Sequence, residues 1–412
     1  MPLKSFYYLD NTIQNYSWGS KHRLAELLGI PNEKCLPQAE IWMGAHAKAP
    51  SKVVVETGTT PLDKLIAQRP AAILGKRVER SFSGKMPFLF KLLAVETPLS
   101  IQAHPDAAFA AAGYRRENAL HIPLDAPHRN YRDSNHKPEL VCAVTDFQVL
   151  KGFRPIHEIV DFFKLSGLPE IEQALEALQR NPDANRLARF YRAVMRLDSF
   201  RQSRLIETLK LAKEKIPGDA WSVFMQLCAS YPLDVGVFSP FLFNCITLKP
   251  GDALFVRAGE LHAYLRGACI ELMANSDNVI RGGLTSKHID LDELFRVVKV
   301  ATETPTALQP QADRSNAIRA YPSSAKEFVL SVIDITRENR AVSVSTASIE
   351  ILLCLRGKMR LYDPIENRSL DLSRGDSCLI PASTSAYRIE GEGTAYRASV
   401  PPPPKKRGQV FS

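Results

Sequence analysis

The chain has 412 residues, 45% hydrophobic and 24% charged, enough for two or three domains with substantial cores. Its formal net charge of +9 is spread along the sequence without the aromatic-interleaved basic stripe of single-strand nucleic-acid binders. No run approaches the roughly 18 apolar residues that cross a bilayer, and MPLKSFYYLDNTIQNYSWGS lacks the charged start, apolar centre and cleavage site of a secretory signal. These features predict a cytoplasmic protein with no membrane or nucleic-acid partner, and leave a small anionic ligand open. The seven cysteines are scattered, form no CxxC pair and sit mostly among apolar neighbours, so reduced thiols are expected. Lys405, Lys406 and Arg407 follow a proline run and read as a solvated tail.

From residue 1 to 154 short apolar runs such as KVVVETG, FLFKLLAV and ELVCAVTDFQVLKGF are broken by Pro, Gly and Asn, which is strand and turn chemistry. The run MPFLFKLLAV leads into PLSIQAHPDAA, where Gln102 and His104 stand two residues apart before Pro105. Side chains at i and i+2 of an extended strand leave the same face, so this pair points into one space and Ser100 joins it. In SNHKPELV, Glu139 opens a β run after Pro138, and the same alternation sets Lys137 on its side with His136 beside it.

From 155 to 235 the period changes. Ile171, Ala174, Leu175 and Leu178 recur at helical spacing, as do Leu187, Phe190, Tyr191 and Val194, which predicts a helical insertion. After Pro240 the β pattern returns twice: LKPGDALFVRAGELHAYL and LSRGDSCLIPASTSAYRI superpose with a shift of 124, Gly251 on Gly375, Asp252 on Asp376 and Ala258 on Ala382. The first copy follows GxxxxxPxGxxH, with Arg257 in the proline position and His262 last; the second has Pro381 but Ala386 where the histidine would fall. This spacing resembles the second motif of cupins, small jelly-roll barrels whose mouth holds a metal. The expected fold is therefore mainly β, two cupin-type jelly-roll β-barrels plus an α-helical domain. The expected division is 1–154 and 236–320 for the two parts of the catalytic barrel, 155–235 for the helical insertion, and 321–412 for a C-terminal cupin-like domain without a metal site.

A divalent metal needs three or four lone-pair donors on rigid elements. His262, Gln102, His104 and Glu139 supply them, and two neutral imidazoles, an amide and a carboxylate leave a net charge of about +1 with room for a substrate oxygen. Taken singly, each is more ordinary as a rim histidine, a backbone-bonding amide or a solvated carboxylate. His46 in WMGAHAKAPS is a rival ligand.

PLSIQAHPD, NHKPEL, GELHAYL and IELMANSDNVIRGGLT, with YSWGS and EIWMGAHAKAPS, resemble type I phosphomannose isomerases in order over nearly the whole chain. Ala47 replaces a proline common in that family. The resemblance implies that the ligands Gln102, His104, Glu139 and His262 hold one zinc ion per chain. It implies interconversion of mannose 6-phosphate and fructose 6-phosphate through an enediol, feeding mannose and GDP-mannose metabolism.

Such a reaction needs a base beside the α-carbon and positive charge near the enediolate. Arg281, before Gly282 and Gly283, is the first choice for the catalytic cation, with Lys137 as donor or proton shuttle and His136 next to it. For the base, Glu271 sits in an apolar run that would raise its pKa, and Asp277 is the rival. No Gly-rich phosphate loop is present, so Ser100, Lys91 and Lys287, with Tyr264, are the expected substrate and phosphate contacts. A monomer is expected. The alternatives are an iron-dependent cupin oxygenase and a non-catalytic sugar-phosphate-binding cupin.

Overall fold

The computed structural model describes residues 3–56, 58–216, 218–312 and 317–403. The predicted tail Lys405 to Arg407 lies outside them.

The chain folds into two large sheets and a helical segment. Phe88–Val95 is buried at every position, with Lys91 its one charged residue, as expected of a strand covered on both faces. It lies between Glu40–Gly44 and His262–Ala274 in a ten-stranded sheet that continues through Phe147–Phe153 to Phe243–Leu248. Glu139–Ala143 and Ile101–Ala103 pair with different parts of the long strand His262–Ala274. The second sheet has eleven strands, centred on Glu350–Asp363 and Ala386–Ser399.

The expected pair of closed jelly-roll barrels is not what the pairing delivers: among the described residues each sheet runs as an open order of strands. The N-terminal strand Tyr7–Asp10 joins the C-terminal sheet, pairing with Ser377–Ile380 on one side and Lys52–Val55 on the other. Local pattern predicts strands but not their partners, which is why this crossing was invisible in the sequence. One apolar cluster unites the sheets, with Phe90, Leu92 and Ile270 packed in the same core as Leu330, Ile351 and Leu353. Each such side chain contributes roughly 2 kcal/mol on burial.

The helices of the insertion run from Ile156–Lys164 to Ala220–Ser230. Pro169 opens one at its first turn, and Asp183 and Asp198 cap the next two by accepting from the backbone N–H of Arg186 and Arg201. Ile171, Leu175, Leu178, Leu187, Phe190, Tyr191 and Val194 are all buried, while Ala174 is half-buried. The first 154 residues also contain helices, including Leu62–Gln68 and Ala107–Ala119. The second is capped by Asp106 and lies against Tyr131 where Gly113 leaves room.

The repeat is real in three dimensions. The strands Ala253–Val256 and Ser377–Ile380 have bounds related by the same shift of 124. Gly251 and Gly375 enter them at φ of 93° and 94°, a conformation glycine alone adopts without strain. Asp252 and Asp376 accept the N–H of Lys249 and Ser373 in matching turns. All seven cysteines are free.

Candidate metal centre and cleft

Strand register brings the site together. Gln102 lies opposite His262 on one side and Arg281 on the other. Glu139 lies opposite Met273 of the same long strand, and Lys91 lies between Trp42 and Glu271.

His104, Glu139 and His262 bring one donor atom each within 4.8 Å of one another. They are 0%, 2% and 3% exposed. His104 Nδ1 is 2.8 Å from the carbonyl oxygen of Asn278, and His262 Nδ1 is 3.1 Å from that of Glu260. A carbonyl only accepts, so these contacts put the proton of each neutral ring on Nδ1 and the lone pair on Nε2. Those lone pairs face Glu139: His104 Nε2 is 3.2 Å from Oε1 and His262 Nε2 is 3.3 Å from Oε2. Although that near, His104 Nε2 is buried without a hydrogen bond. Lone pairs facing across such distances repel unless a cation draws them together, so this nitrogen and oxygen set fits a divalent metal, with carbonyls orienting the imidazoles.

Electrostatics keep the donors in the ligating form. Burial, then Lys137, pushes the His104 pKa down to about 4, so the ring is neutral at ordinary pH. Burial would raise Glu139, but its charged surroundings, Lys137 foremost, more than offset it and hold the carboxyl well below its usual range. Lys137 Nζ is 3.0 Å from Glu139 Oε1, and the Tyr264 hydroxyl donates to Oε2 at 3.1 Å. Tyr264 is thus tied to the carboxylate.

A cleft of about 580 Å³ opens over this centre, its wall including Gln102, Glu139, His262, Lys137, Glu271, Asp277, Arg281, Ser100 and Lys287. Burial first, then Arg281, Arg132 and Lys48, lowers the Lys287 pKa, and burial followed by Arg132 lowers that of Arg281. Arg281 and Lys287 thus gather positive charge in one wall of the cleft, which favours an anion there. Lys91 lines the same cleft but is already engaged. Its ammonium is 2.9 Å from Glu271 and 3.5 Å from Glu40, so two carboxylates already surround it. The two acid candidates separate in the same terms: burial raises Glu271, whereas His46 and Lys48 overcome burial and hold Asp277 far below its ordinary value. His46 pairs with Asp277 at 3.3 Å and is not part of the metal cluster. His136 is not brought to the cleft. Alternation turns it away from Lys137, and its Nε2 is 2.8 Å from Glu327.

The family model described as Phosphomannose isomerase type I, catalytic domain, matches residues 6–156, and Mannose-6-phosphate isomerase, cupin domain, matches 317–400. Mannose-6-phosphate isomerase of Escherichia coli (strain K12) is 38% identical over 390 residues, covering 94% of this chain and 98% of the relative. The Homo sapiens protein of that name is 33% identical and covers 92% and 93%. The chain belongs to the type I phosphomannose isomerase family.

That family is one of aldose–ketose isomerases. A crystal structure of mannose 6-phosphate isomerase with zinc bound superposes on this family member with a TM-score of 0.90 at 37% identity, covering 96% of this chain and all of the other. A variant of phosphomannose isomerase from Salmonella typhimurium gives 0.91, also at 37% identity. Several cleft residues of this phosphomannose isomerase family member escaped the sequence reading. Tyr16, Trp18, Glu40, Trp42 and Lys48 line the wall, from two stretches valued only for their resemblance. Glu40 and Trp42 stand at i and i+2 of one strand, a pattern that would have placed them on a common face. Arg132 and Asn278 left no such signal. Asn278 acts through its loop, its side-chain oxygen accepting the N–H of Arg132 at 2.7 Å while its carbonyl orients His104.

Proposed function

We propose that this protein reversibly isomerises D-mannose 6-phosphate and D-fructose 6-phosphate, using one Zn²⁺ held by Gln102, His104, Glu139 and His262. The observation that carries the reading is the convergence of two imidazole lone pairs on Glu139 beside a cleft whose wall gathers Arg281 and Lys287. When bound, zinc supplies a Lewis acid for substrate oxygens at C1 and C2.

The remaining work falls to side chains. Glu271 is the base that takes the proton from C2 of the aldose and returns it at C1, because burial moves its carboxyl upward toward a useful range. Asp277, held low by its contacts with His46 and Lys48, is the weaker base and serves to fix those two side chains. Lys91 orients Glu271 through their 2.9 Å contact instead of holding phosphate. Arg281 stabilises negative charge as the enediol forms, and Lys137 donates to a substrate oxygen. Ser100 and Lys287 take the phosphate. Tyr264 keeps Glu139 in place, and His136 has no step. The same reading divides the chain at 154, 235 and 320 into two cupin-type units and a helical insertion. It assigns a monomer in the cytoplasm that serves mannose and GDP-mannose metabolism.

The test supplies mannose 6-phosphate to purified protein with and without a chelator and measures fructose 6-phosphate. Turnover that chelation abolishes and zinc restores is expected. Binding without turnover, or substrate-dependent oxygen uptake, would overturn the proposal.

A further inference from the structure

The helical segment ends in a turn that touches both rims of the cleft. The Tyr231 hydroxyl donates to the carbonyl oxygen of Pro98 at 2.6 Å, just before Ser100 and Gln102. Across from it, Asp234 Oδ1 accepts the N–H of Leu284 at 2.7 Å and Oδ2 that of Thr285 at 3.1 Å. The same Oδ1 accepts from Gly236 at 2.7 Å, closing its own turn. Leu284 is buried at φ of 54°, a left-handed conformation costly for a branched hydrophobic residue unless its surroundings impose it. Gly283 and Gly236 meet backbone to backbone there; a Cβ on Gly283 would lie 2.8 Å from the Gly236 Cα. Leu284, Thr285, Ser286 and Lys287 all line the cleft, separated from Arg281 by Gly282 and Gly283.

We infer that the Tyr231–Asp234 turn is a clamp that positions the phosphomonoester end of the cleft. Asp234 holds the left-handed bend that presents Thr285 to Lys287, and Tyr231 holds the opposing rim that carries Ser100. Asp234 acts wholly through other residues, and Tyr231, which also lines the cleft wall, acts through the Pro98 carbonyl; both are positioning residues. The inference deepens the sugar-phosphate reading and rests on it. It gives the helical insertion a task in substrate binding, distinct from the metal centre, which it does not touch.

Asp234→Asn keeps the side-chain size but turns one acceptor into a donor facing a backbone N–H. The expected result for the zinc-loaded protein is a KM for mannose 6-phosphate raised roughly tenfold, with kcat changed less than about threefold and metal content unaltered. Tyr231→Phe should raise KM less, by roughly threefold. Inorganic phosphate serves as a second probe: its affinity, measured calorimetrically without turnover, should fall in parallel. If Asp234 acts through the bend, its effect disappears in a Lys287→Ala background, whereas a general loss of stability would add to it. Should Asp234→Asn fail to fold, the cycle of Tyr231→Phe with Ser100→Ala makes the decision by the same criterion. Unchanged phosphate affinity in a folded Asp234→Asn protein, full additivity in the cycle, or a fall in kcat at constant KM would overturn the clamp. An unmodified protein that binds phosphate but turns over no mannose 6-phosphate would overturn the catalytic reading alone.

Discussion

Glu139 and Glu350 occupy the same place in the two copies of the repeated hairpin. Glu139 faces Val256 across its strand pair and Glu350 faces Ile380, and the shift of 124 carries one partner onto the other. Both carboxylates are buried and both accept from a tyrosine, Tyr264 at 3.1 Å and Tyr387 at 2.7 Å. Their remaining company differs. Glu139 has two imidazoles and Lys137, whereas Glu350 has Arg397 Nη1 at 3.6 Å, and Ala386 stands in the place of His262. Burial raises the Glu350 carboxyl and Arg397 only partly offsets it, while Glu139 is driven the other way. One backbone frame thus supports a metal-ready acid and a structural one. The cation comes from solution in the first case and from the chain itself in the second.

The largest expected effect separates the copies outright. His262→Ala should lose the metal on dialysis and at least about 10³-fold in turnover, whereas Glu350→Gln should keep both; elemental analysis beside the isomerase assay reads this. A metal-replete, active His262→Ala protein would sink the ligand assignment. Next come the arginines. Arg281→Ala should retain metal and lose about 10²-fold in kcat, because under the proposed function it removes charge at the developing oxyanion. Arg397→Ala should leave kcat intact and lower stability by roughly 3 kcal/mol in denaturant titration, since it removes the cation beside a buried carboxyl that Tyr387 still hydrogen-bonds. The reverse pattern would mean that the C-terminal copy takes part in catalysis.

The smallest effect is a difference of slope with pH, read in chelator-treated protein. Glu139 is depressed on folding, so its contribution is present above the unfolded value of about 4.3 and fades as pH falls through the folded one. Glu350 is raised, so its contribution is present below that unfolded value and fades as pH rises through the folded one. The stability penalty of Glu139→Gln should therefore shrink toward acid and that of Glu350→Gln toward alkali. Parallel slopes would show that the two environments do not differ as described.

What could be read before any fold was known followed from short-range geometry. Gln102 and His104 share a face because a strand alternates, and Ile171 to Leu178 share another because a helix turns every 3.6 residues. The Gly-Asp frame exposed the repeat because a left-handed turn restricts its residues, and the missing histidine at Ala386 already marked the second copy as different. Gln102, His104, Glu139 and His262 were nameable as candidate donors from spacing and resemblance together, and the structure clusters the last three.

What the tertiary structure decided were pairings between residues far apart in the chain. Tyr7–Asp10 joining the C-terminal sheet, Lys91 held by Glu271 and Glu40, His136 drawn to Glu327, and Asp234 gripping Leu284 all depend on which elements meet. Periodicity specifies the face a side chain takes. The opposing partner is selected by the total apolar area that the whole chain can bury at once, a property no local window contains.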